Sequence, residues 1–177
     1  MFAWPGPALY VHRCGGALAP ENTLAGLRIA RQLGCTAVEF DVMLSADGVP
    51  VVIHDETLER TTDGHGWVAD HSLDDLRRLD ASAGRDGFAG ARIPTLDEVF
   101  ALVRGTDAVV NVELKNSKMR YRGLEERVLA VVAEQGMTDR VILSSFNHDS
   151  LRLLATLDDE VRLGVLYEQR LWRPWSY

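Results

Sequence analysis

The feature that most constrains the fold is the alternation of short apolar segments with amphipathic helical segments. Strands that alternate with helices at this spacing predict βα units and a parallel sheet, and therefore an α/β fold. Thr95 is a plausible N-cap for the third helix, and Gly34 and Gly136 end the first and fourth helices. The predicted strands are Ala8–Val11, Thr36–Val42, Val49–His54, Ala108–Lys115, Val141–Phe146 and Val161–Tyr167. The predicted helices are Leu24–Leu33, Leu73–Leu79, Pro94–Val103, Leu124–Gln135 and Asp149–Leu157.

The polar residues of the first four predicted strands lie at the carboxyl ends of those strands. In a (β/α)8 barrel the active site lies at that end, so the pattern favours a TIM (β/α)8-type barrel. Such barrels typically need about 200 residues or more, whereas this chain has 177 residues and about six predicted strands. We therefore expect a single domain, residues 1–177, with an incomplete barrel. Residues 56–92 are polar and rich in glycine, which predicts an inserted loop region.

The stretch Val38–Asp55 contains two predicted strands and a dense group of acid–base residues. Glu39 and Asp41 are two residues apart, so both point to the same side of a strand. His54 and Asp55 end the next strand. The link SADG between the strands would most simply form a hairpin, and in a parallel sheet it would be a tight connection without a helix. The stretch alone fits either a metal and acid–base site or an exposed surface hairpin.

Charge and cysteine content exclude some classes of function. The net charge is -7 and no cluster of Lys and Arg stands out, which argues against a nucleic-acid partner. Cys14 and Cys35 are the two cysteines, and neither belongs to a CxxC pattern, which fits a reduced compartment. The first residues lack the pattern of a signal peptide, and no apolar run approaches the roughly 20 residues of a spanning helix. We predict a cytoplasmic protein without stable membrane anchoring.

The residues at the predicted strand ends are suited to phosphodiester cleavage. Carboxylates are hard oxygen ligands that suit Mg²⁺ or Ca²⁺, fixed cations suit a phosphate, and histidines exchange protons near neutral pH. Each residue also has a structural explanation, since a lone histidine is commonly structural and a Glu113–Lys115 surface ion pair would contribute about 0–1 kcal/mol. The candidate residues are His12, Arg13, Glu39, Asp41, His54, Glu113 and Lys115.

Five segments resemble the successive motifs of the glycerophosphodiester phosphodiesterase family: HRCGGALAPENT, EFDVMLSADGVPVVIHDETLERTT, IPTLDEVF, NVELK and LSSFN. The resemblance runs from Val11 to about Leu151 and more loosely to Tyr167. It implies a TIM barrel, with parallel barrel strands in the stretch 38–55. It also implies hydrolysis of glycerophosphodiesters, as small-molecule substrates, to sn-glycerol 3-phosphate and an alcohol with a divalent cation, Mg²⁺ or Ca²⁺. The implied roles are acid–base catalysis for His12 and His54, metal binding for Glu39, Asp41 and Glu113, and phosphate binding for Arg13 and Lys115.

One position departs from the family pattern inside the first motif. The family usually has glycine directly after the His-Arg pair, where this chain has Cys14. Gly15 and Gly16 follow, so the backbone turn is expected to survive. We favour the interpretation that Cys14 is a small residue that fits. The alternative is a thiol that crowds the phosphate site or makes it sensitive to oxidation.

A second departure lies at the C-terminal side. The family's chain continues for two more strand–helix units after the sixth predicted strand, and this sequence reaches Tyr177. The expected consequence is an open sheet that exposes strand edges for self-association, with Trp172, Trp175 and Tyr177 covering part of the gap. Two other functions stay open: a truncated relative that is inactive or binds phosphoesters weakly, and a phosphodiesterase that acts on lysophospholipids.

Overall fold

A computed structural model describes residues 9–168, and in these residues strands and helices alternate as predicted. Each predicted helix is present, with ends that differ by a few residues from the expectation. Ala8, the first residue of the first predicted strand, lies outside the described residues. The strands are β1 (Tyr10–Val11), β2 (Ala37–Leu44), β3 (Pro50–Val52), β4 (Val109–Leu114), β5 (Val141–Ser145) and β6 (Arg162–Val165). The helices are α1 (Leu24–Gln32), α2 (Leu73–Leu76), α3 (Leu96–Val103), α4 (Leu124–Glu134) and α5 (His148–Leu157).

Five strands form a parallel sheet in the order β1-β2-β4-β5-β6. A helix lies between each pair of consecutive parallel strands along the chain, so the predicted βα units are confirmed. The register places Glu39 beside Asn111 and Asp41 beside Glu113, because β2 and β4 are neighbours. Within residues 9–168 the sheet is open, with β1 at one edge and β6 at the other.

The prediction that the stretch 38–55 forms two parallel barrel strands is wrong. β3 pairs antiparallel with β2, with Val42 opposite Val52 and Leu44 opposite Pro50. The link Ser45–Val49 is a tight turn in which Gly48 has a φ of 78°. A link of this length cannot return the chain for a parallel strand, which needs a crossover of a dozen or more residues. Within residues 9–168 the barrel-type strands therefore number five, and β3 belongs to a hairpin beside them.

The two faces of β2 have different surroundings. Phe40 is fully buried and packs edge-on against Phe100 of α3, with ring centroids 6.3 Å apart, so this face lies under the helices. Glu39 and Asp41 point to the opposite face, because side chains alternate along a strand. α3 is fixed at its start by a capping box, in which Thr95 accepts from the Glu98 amide and Glu98 accepts from the Thr95 amide.

The segment 56–92, predicted to be an inserted loop region, consists of turns, a 3-10 turn at Val68–Asp70 and the short helix α2. Leu58, Val68 and Leu76 of this segment are fully buried, so it is anchored to the core. No helix within residues 9–168 is long and apolar enough to cross a bilayer. The predicted cover by Trp172, Trp175 and Tyr177 lies outside the described residues.

Candidate active site

Three carboxylates converge from the middle of β2 and the carboxyl end of β4. Glu39, Asp41 and Glu113 each offer an oxygen, and these oxygens all lie within 4.8 Å of one another. The Asp41 side chain is 1% exposed, and those of Glu39 and Glu113 are 13% exposed. Burial, reinforced by the charge of Glu39, raises the pKa of Asp41 to about 6. Burial also raises the pKa of Glu39. The structure thus brings together the three predicted metal ligands, and burial disfavours the charged forms of Glu39 and Asp41.

Lys115 follows β4 directly and lies between the acids and the hairpin. Its Nζ is 2.9 Å from Glu113 Oε1 and 3.7 Å from Asp41 Oδ1. The same Nζ is 3.3 Å from His54 Nε2. Its side chain is 13% exposed. Lys115 therefore links the acidic cluster to one of the two predicted catalytic histidines.

The residues of the acidic cluster fit a divalent cation. All three offer carboxylate oxygens, the ligands that Mg²⁺ and Ca²⁺ prefer. Lys115 brings one positive charge against three carboxylates, so a further cation would lower their mutual repulsion. Next to them Asn22 donates its side-chain amide to Asp41 Oδ2 at 2.9 Å, while its Oδ1 is buried without a partner among the described residues. The donor set and this orphaned oxygen both favour a cation at this place.

The turn after β1 places His12 and Arg13 beside the acids. Arg13 and Cys14 adopt left-handed backbone angles, with φ of 50° and 54°, before Gly15 at 95°. Non-glycine residues in this region cost about 1–3 kcal/mol each. The turn is held because the Arg13 amide donates to Glu39 Oε2 at 2.9 Å. The His12 side chain is 74% exposed, and its Nε2 lies 3.8 Å from the same oxygen.

The hairpin places His54 on the other side of the cluster. The Ile53 amide donates to the Asp41 carbonyl, so the chain descends alongside β2 and returns His54 to the level of the acids. His54 Nδ1 lies 2.6 Å from Asp55 Oδ1. An ionised carboxylate only accepts hydrogen bonds and an ammonium only donates them. We therefore assign the proton to Nδ1, which leaves the lone pair of Nε2 facing Lys115.

The predicted residues surround one open cleft of about 710 Å³. Its wall includes all of the predicted residues except Glu39 and Asp41. The Arg13 Nε is buried and has no partner among the described residues. Arg13 also donates to Glu21 Oε1 at 3.1 Å, which fixes the guanidinium at the edge of the cleft. The cleft thus has cationic side chains suited to an anionic ligand.

Sequence reasoning predicted no role for three residues that hold the site together. Asn22 has a left-handed backbone, φ 55°, and its side chain binds Asp41. Arg60 binds both Glu21 and Asp55. Glu21 and Asn22 belong to the segment PENT and Arg60 to ERTT, so the resemblance marked these segments. Strand periodicity could not find them, because all three lie in loops whose path depends on the fold.

Cys14 is fully buried in the core beneath the turn. Burial, with added repulsion from Glu39, raises the pKa of its thiol well above the usual value. A neutral buried thiol is a poor nucleophile. The structure therefore agrees with a small residue that fits, and it places the thiol away from the wall of the cleft.

Parallel strands in sequential order with polar residues at their carboxyl ends define the class of (β/α)-barrel enzymes. Residues 12–176 match the profile of the Glycerophosphoryl diester phosphodiesterase family. The chain therefore belongs to this family of phosphoric diester hydrolases, and its open sheet corresponds to part of a TIM barrel.

Three relatives illustrate the similarity. A glycerophosphodiester phosphodiesterase of Caldanaerobacter subterraneus is 44% identical over 165 residues, which cover 93% of this chain and 68% of the relative. The crystal structure of the enzyme from Agrobacterium tumefaciens is 38% identical, with a TM-score of 0.80, and covers 88% of this chain. An Oleispira antarctica phosphodiesterase solved with the product sn-glycerol-3-phosphate is 36% identical, with a TM-score of 0.81 and coverage of 94% of this chain. This chain spans 65% of the Agrobacterium chain and 69% of the Oleispira chain.

Proposed function

We propose that this chain hydrolyses glycerophosphodiesters to sn-glycerol 3-phosphate and an alcohol, with a divalent cation and two histidines. The observation that carries the proposal is the convergence of three carboxylates within 4.8 Å at one end of the sheet, beside a cleft lined by both histidines. The Oleispira relative, solved with sn-glycerol-3-phosphate, supports the substrate class.

Glu39, Asp41 and Glu113 would hold the cation, which we propose to be Mg²⁺ or Ca²⁺. When bound, such a cation neutralises negative charge on phosphoryl oxygens. The side chains hold this arrangement from several directions, because Asn22 binds Asp41 and the Arg13 amide binds Glu39. The raised pKa of Asp41 and Glu39 is consistent with a site that gains stability from a cation.

Arg13 and Lys115 would bind the phosphate. Arg13 and Lys115 both line the cleft, and Lys115 Nζ lies beside His54 and Glu113. A phosphodiester carries one negative charge, so two cations beside it complement both the substrate and the charge that develops in the transition state.

His12 and His54 would exchange the protons of the reaction. With its Nδ1 proton bound to Asp55, His54 has its Nε2 lone pair facing Lys115 at the wall of the cleft, and this tautomer is the one that can accept a proton at Nε2. His12 is exposed at the opposite side, next to Glu39, from where it can donate a proton to the leaving alcohol. The two histidines thus lie on separate elements that flank the acids.

The experiment is to measure release of glycerol 3-phosphate from glycerophosphocholine by the purified chain, with Mg²⁺, Ca²⁺ or EDTA. We expect turnover with a cation and none in EDTA. Glu113→Gln should lower kcat by about 100-fold or more, since it removes a ligand, while the exposed control Glu134→Gln should be unchanged. Release that is equally fast in EDTA, or a folded chain that releases nothing with either cation, would contradict the proposal.

A second substrate distinguishes the proposed function from that of a phosphodiesterase that acts on lysophospholipids. Lysophosphatidylcholine presented at the same concentration should react more slowly than glycerophosphocholine. The reverse order would favour the lysophospholipid-acting phosphodiesterase. The cytoplasmic location, the single-domain organisation and self-association through sheet edges remain predictions.

A further inference from the structure

We propose that Arg60 of the inserted segment 56–92 is a positioning residue for His54, acting through Asp55 and anchored by Glu21. The inference rests on the proposed function in one respect, namely that His54 exchanges a proton during the reaction. Arg60 itself does not line the cleft. It therefore acts on the chemistry only through the groups that it holds.

The Arg60 guanidinium joins two carboxylates that lie far apart in the sequence. Its Nη1 and Nη2 donate to the two oxygens of Glu21, each at 2.8 Å. Its Nε and Nη2 donate to the two oxygens of Asp55, the latter at 3.0 Å. Both carboxylates are thus bound in a bidentate manner. The planar fork of arginine suits this geometry, whereas a lysine ammonium has no matching pair of directions.

Asp55 transmits this constraint to the imidazole. Its Oδ1 accepts from both Arg60 Nη2 and His54 Nδ1. The hydrogen bonds from Arg60 hold the pKa of the Asp55 carboxyl well below its usual range, so the carboxylate stays charged and acts only as an acceptor. A fixed acceptor at Nδ1 selects one tautomer and one ring orientation, in which Nε2 faces Lys115 at the wall of the cleft. Without Arg60 the Asp55 carboxylate would be free to rotate, and the ring with it.

The same network reaches the proposed phosphate site. Glu21 Oε1 accepts from Arg13 Nη1 at 3.1 Å as well as from Arg60. The two carboxylates and the two guanidinium groups balance in charge, so Asp55 can orient His54 without leaving an unmatched negative charge beside an anionic substrate. The insertion therefore supports both the proton-accepting histidine and Arg13 through one connected set of hydrogen bonds.

Turnover of the folded variants separates this role from one in stability. The Arg60 side chain is 46% exposed, but it is bidentate to two carboxylates in one network, so its contribution exceeds that of an isolated exposed ion pair. We therefore expect Arg60→Ala to fold with a lowered melting temperature, and turnover is compared at a temperature where each variant is folded. Loss of a residue that orients a catalytic group costs about 10–100-fold in activity.

The test compares Arg60→Ala, Arg60→Lys and the matched control Arg78→Ala, whose arginine forms an exposed ion pair with Asp75 in the same insertion. For glycerophosphocholine with Ca²⁺ we expect kcat to fall about 10–100-fold in both Arg60 variants, with KM changed less than about 3-fold. Arg60→Lys should not recover activity. Added guanidinium at non-denaturing concentration should partly restore kcat in Arg60→Ala and leave Arg78→Ala unchanged.

A spectroscopic readout tests the inference independently of turnover. A hydrogen bond of 2.6 Å from His54 Nδ1 to Asp55 should give a downfield proton resonance, assigned by its loss in His54→Gln. We expect it to broaden or vanish in Arg60→Ala and to persist in Arg78→Ala. A wild-type kcat in Arg60→Ala, or a resonance that is the same in wild type and Arg60→Ala, would overturn the positioning role. Wild-type protein that shows the resonance but no turnover would overturn the proposed function and leave the positioning role supported.

Discussion

The carboxylates around the cleft form two groups that differ in the positive charge the chain brings to them. Glu39 and Asp41, in the acidic cluster, are buried and have raised pKa values. Glu21 and Asp55, behind the cleft, are bound by Arg60, whose hydrogen bonds lower the pKa of both. The two groups lie on either side of His54 and Lys115. The same small region therefore contains carboxylates with raised pKa values and carboxylates with lowered pKa values.

The difference indicates what each group is for. Guanidinium groups of the chain itself neutralise the charges of Glu21 and Asp55, so these two carboxylates need no bound cation and serve to orient their neighbours. A cation bound at the acidic cluster would lower the repulsion among its carboxylates, which is expected of a ligand site. The histidines divide in the same way. His54 is held by Asp55, whereas His12 is exposed beside Glu39.

The largest effect should come from removing each histidine. His12→Ala and His54→Ala should each lower kcat by about 10²–10⁴-fold, the usual contribution of general acid–base catalysis. Added imidazole should distinguish them. In His54→Ala the gap is bounded by Asp55 and Lys115, so rescue should saturate with imidazole concentration. In His12→Ala the gap opens to solvent, and rescue should rise without saturation. Unchanged kcat in His12→Ala would contradict its assignment.

A smaller effect is expected on stability as a function of pH in EDTA. Asp41 has a pKa of about 6 when folded, against about 3.9 when unfolded, so between these values the folded state binds more protons. Stability from this group therefore falls as pH rises from about 4 to 6, by an amount on the order of 3 kcal/mol. Asp55 has the opposite sign, because its pKa is lowered and its contribution is lost only as pH falls below the unfolded value.

Urea unfolding at several pH values measures this contrast. Between pH 4 and 6, the free energy of unfolding of Asp41→Asn should depend less on pH than that of wild type. Asp55→Asn should keep the wild-type dependence of the free energy of unfolding on pH in that range. Saturating Ca²⁺ should oppose the loss, because it binds only the folded site. An Asp41→Asn slope equal to that of wild type would show that Asp41 does not titrate as argued.

Local sequence signals were sufficient for most of the fold and failed at one link. The N-cap Thr95 and the helix-ending Gly136 predicted helix boundaries within a few residues, because these residues act on their own backbone. The turn SADG also favoured a hairpin, which the structure has. The likeness to barrel strands outweighed that local signal and gave the wrong direction for β3. Turn length was the better physical guide, since two parallel strands cannot be joined by a tight turn.

The residues of the candidate site also differ in how well the sequence predicts them. Glu39, Asp41 and Glu113 could be predicted because alternation along strands and the register of a parallel sheet bring them together. Glu21 and Arg60 could not, because they are 39 residues apart and meet only where two loops cross above the sheet. Contacts between loops have no period in the sequence, so charge complementarity in the fold is needed to find them.

The smallest effect is expected from alanine substitutions of two glycines, one under the turn that carries His12 and one in the segment that carries Arg60. Gly26 of α1 lies under the turn that carries His12, and a Cβ there would lie 2.5 Å from the Cys14 carbonyl oxygen. A Cβ on Gly64 of the insertion would lie 2.6 Å from Leu79 Cδ1, the end of a flexible side chain. Alanine in a helix interior normally stabilises by about 0.5–1 kcal/mol over glycine. Gly26→Ala should instead destabilise by about 1–3 kcal/mol, since the clash is with backbone.

Gly26→Ala should also lower kcat, because the clash displaces the turn that directs the Arg13 amide to Glu39. Gly64→Ala should change the melting temperature less and leave kcat near wild type, because Leu79 can change rotamer without moving Arg60. Thermal melts and turnover of both variants decide the matter. A larger loss of kcat in Gly64→Ala than in Gly26→Ala would contradict this prediction. It would show that the segment 56–92 supports activity more rigidly than the backbone of the turn that carries His12.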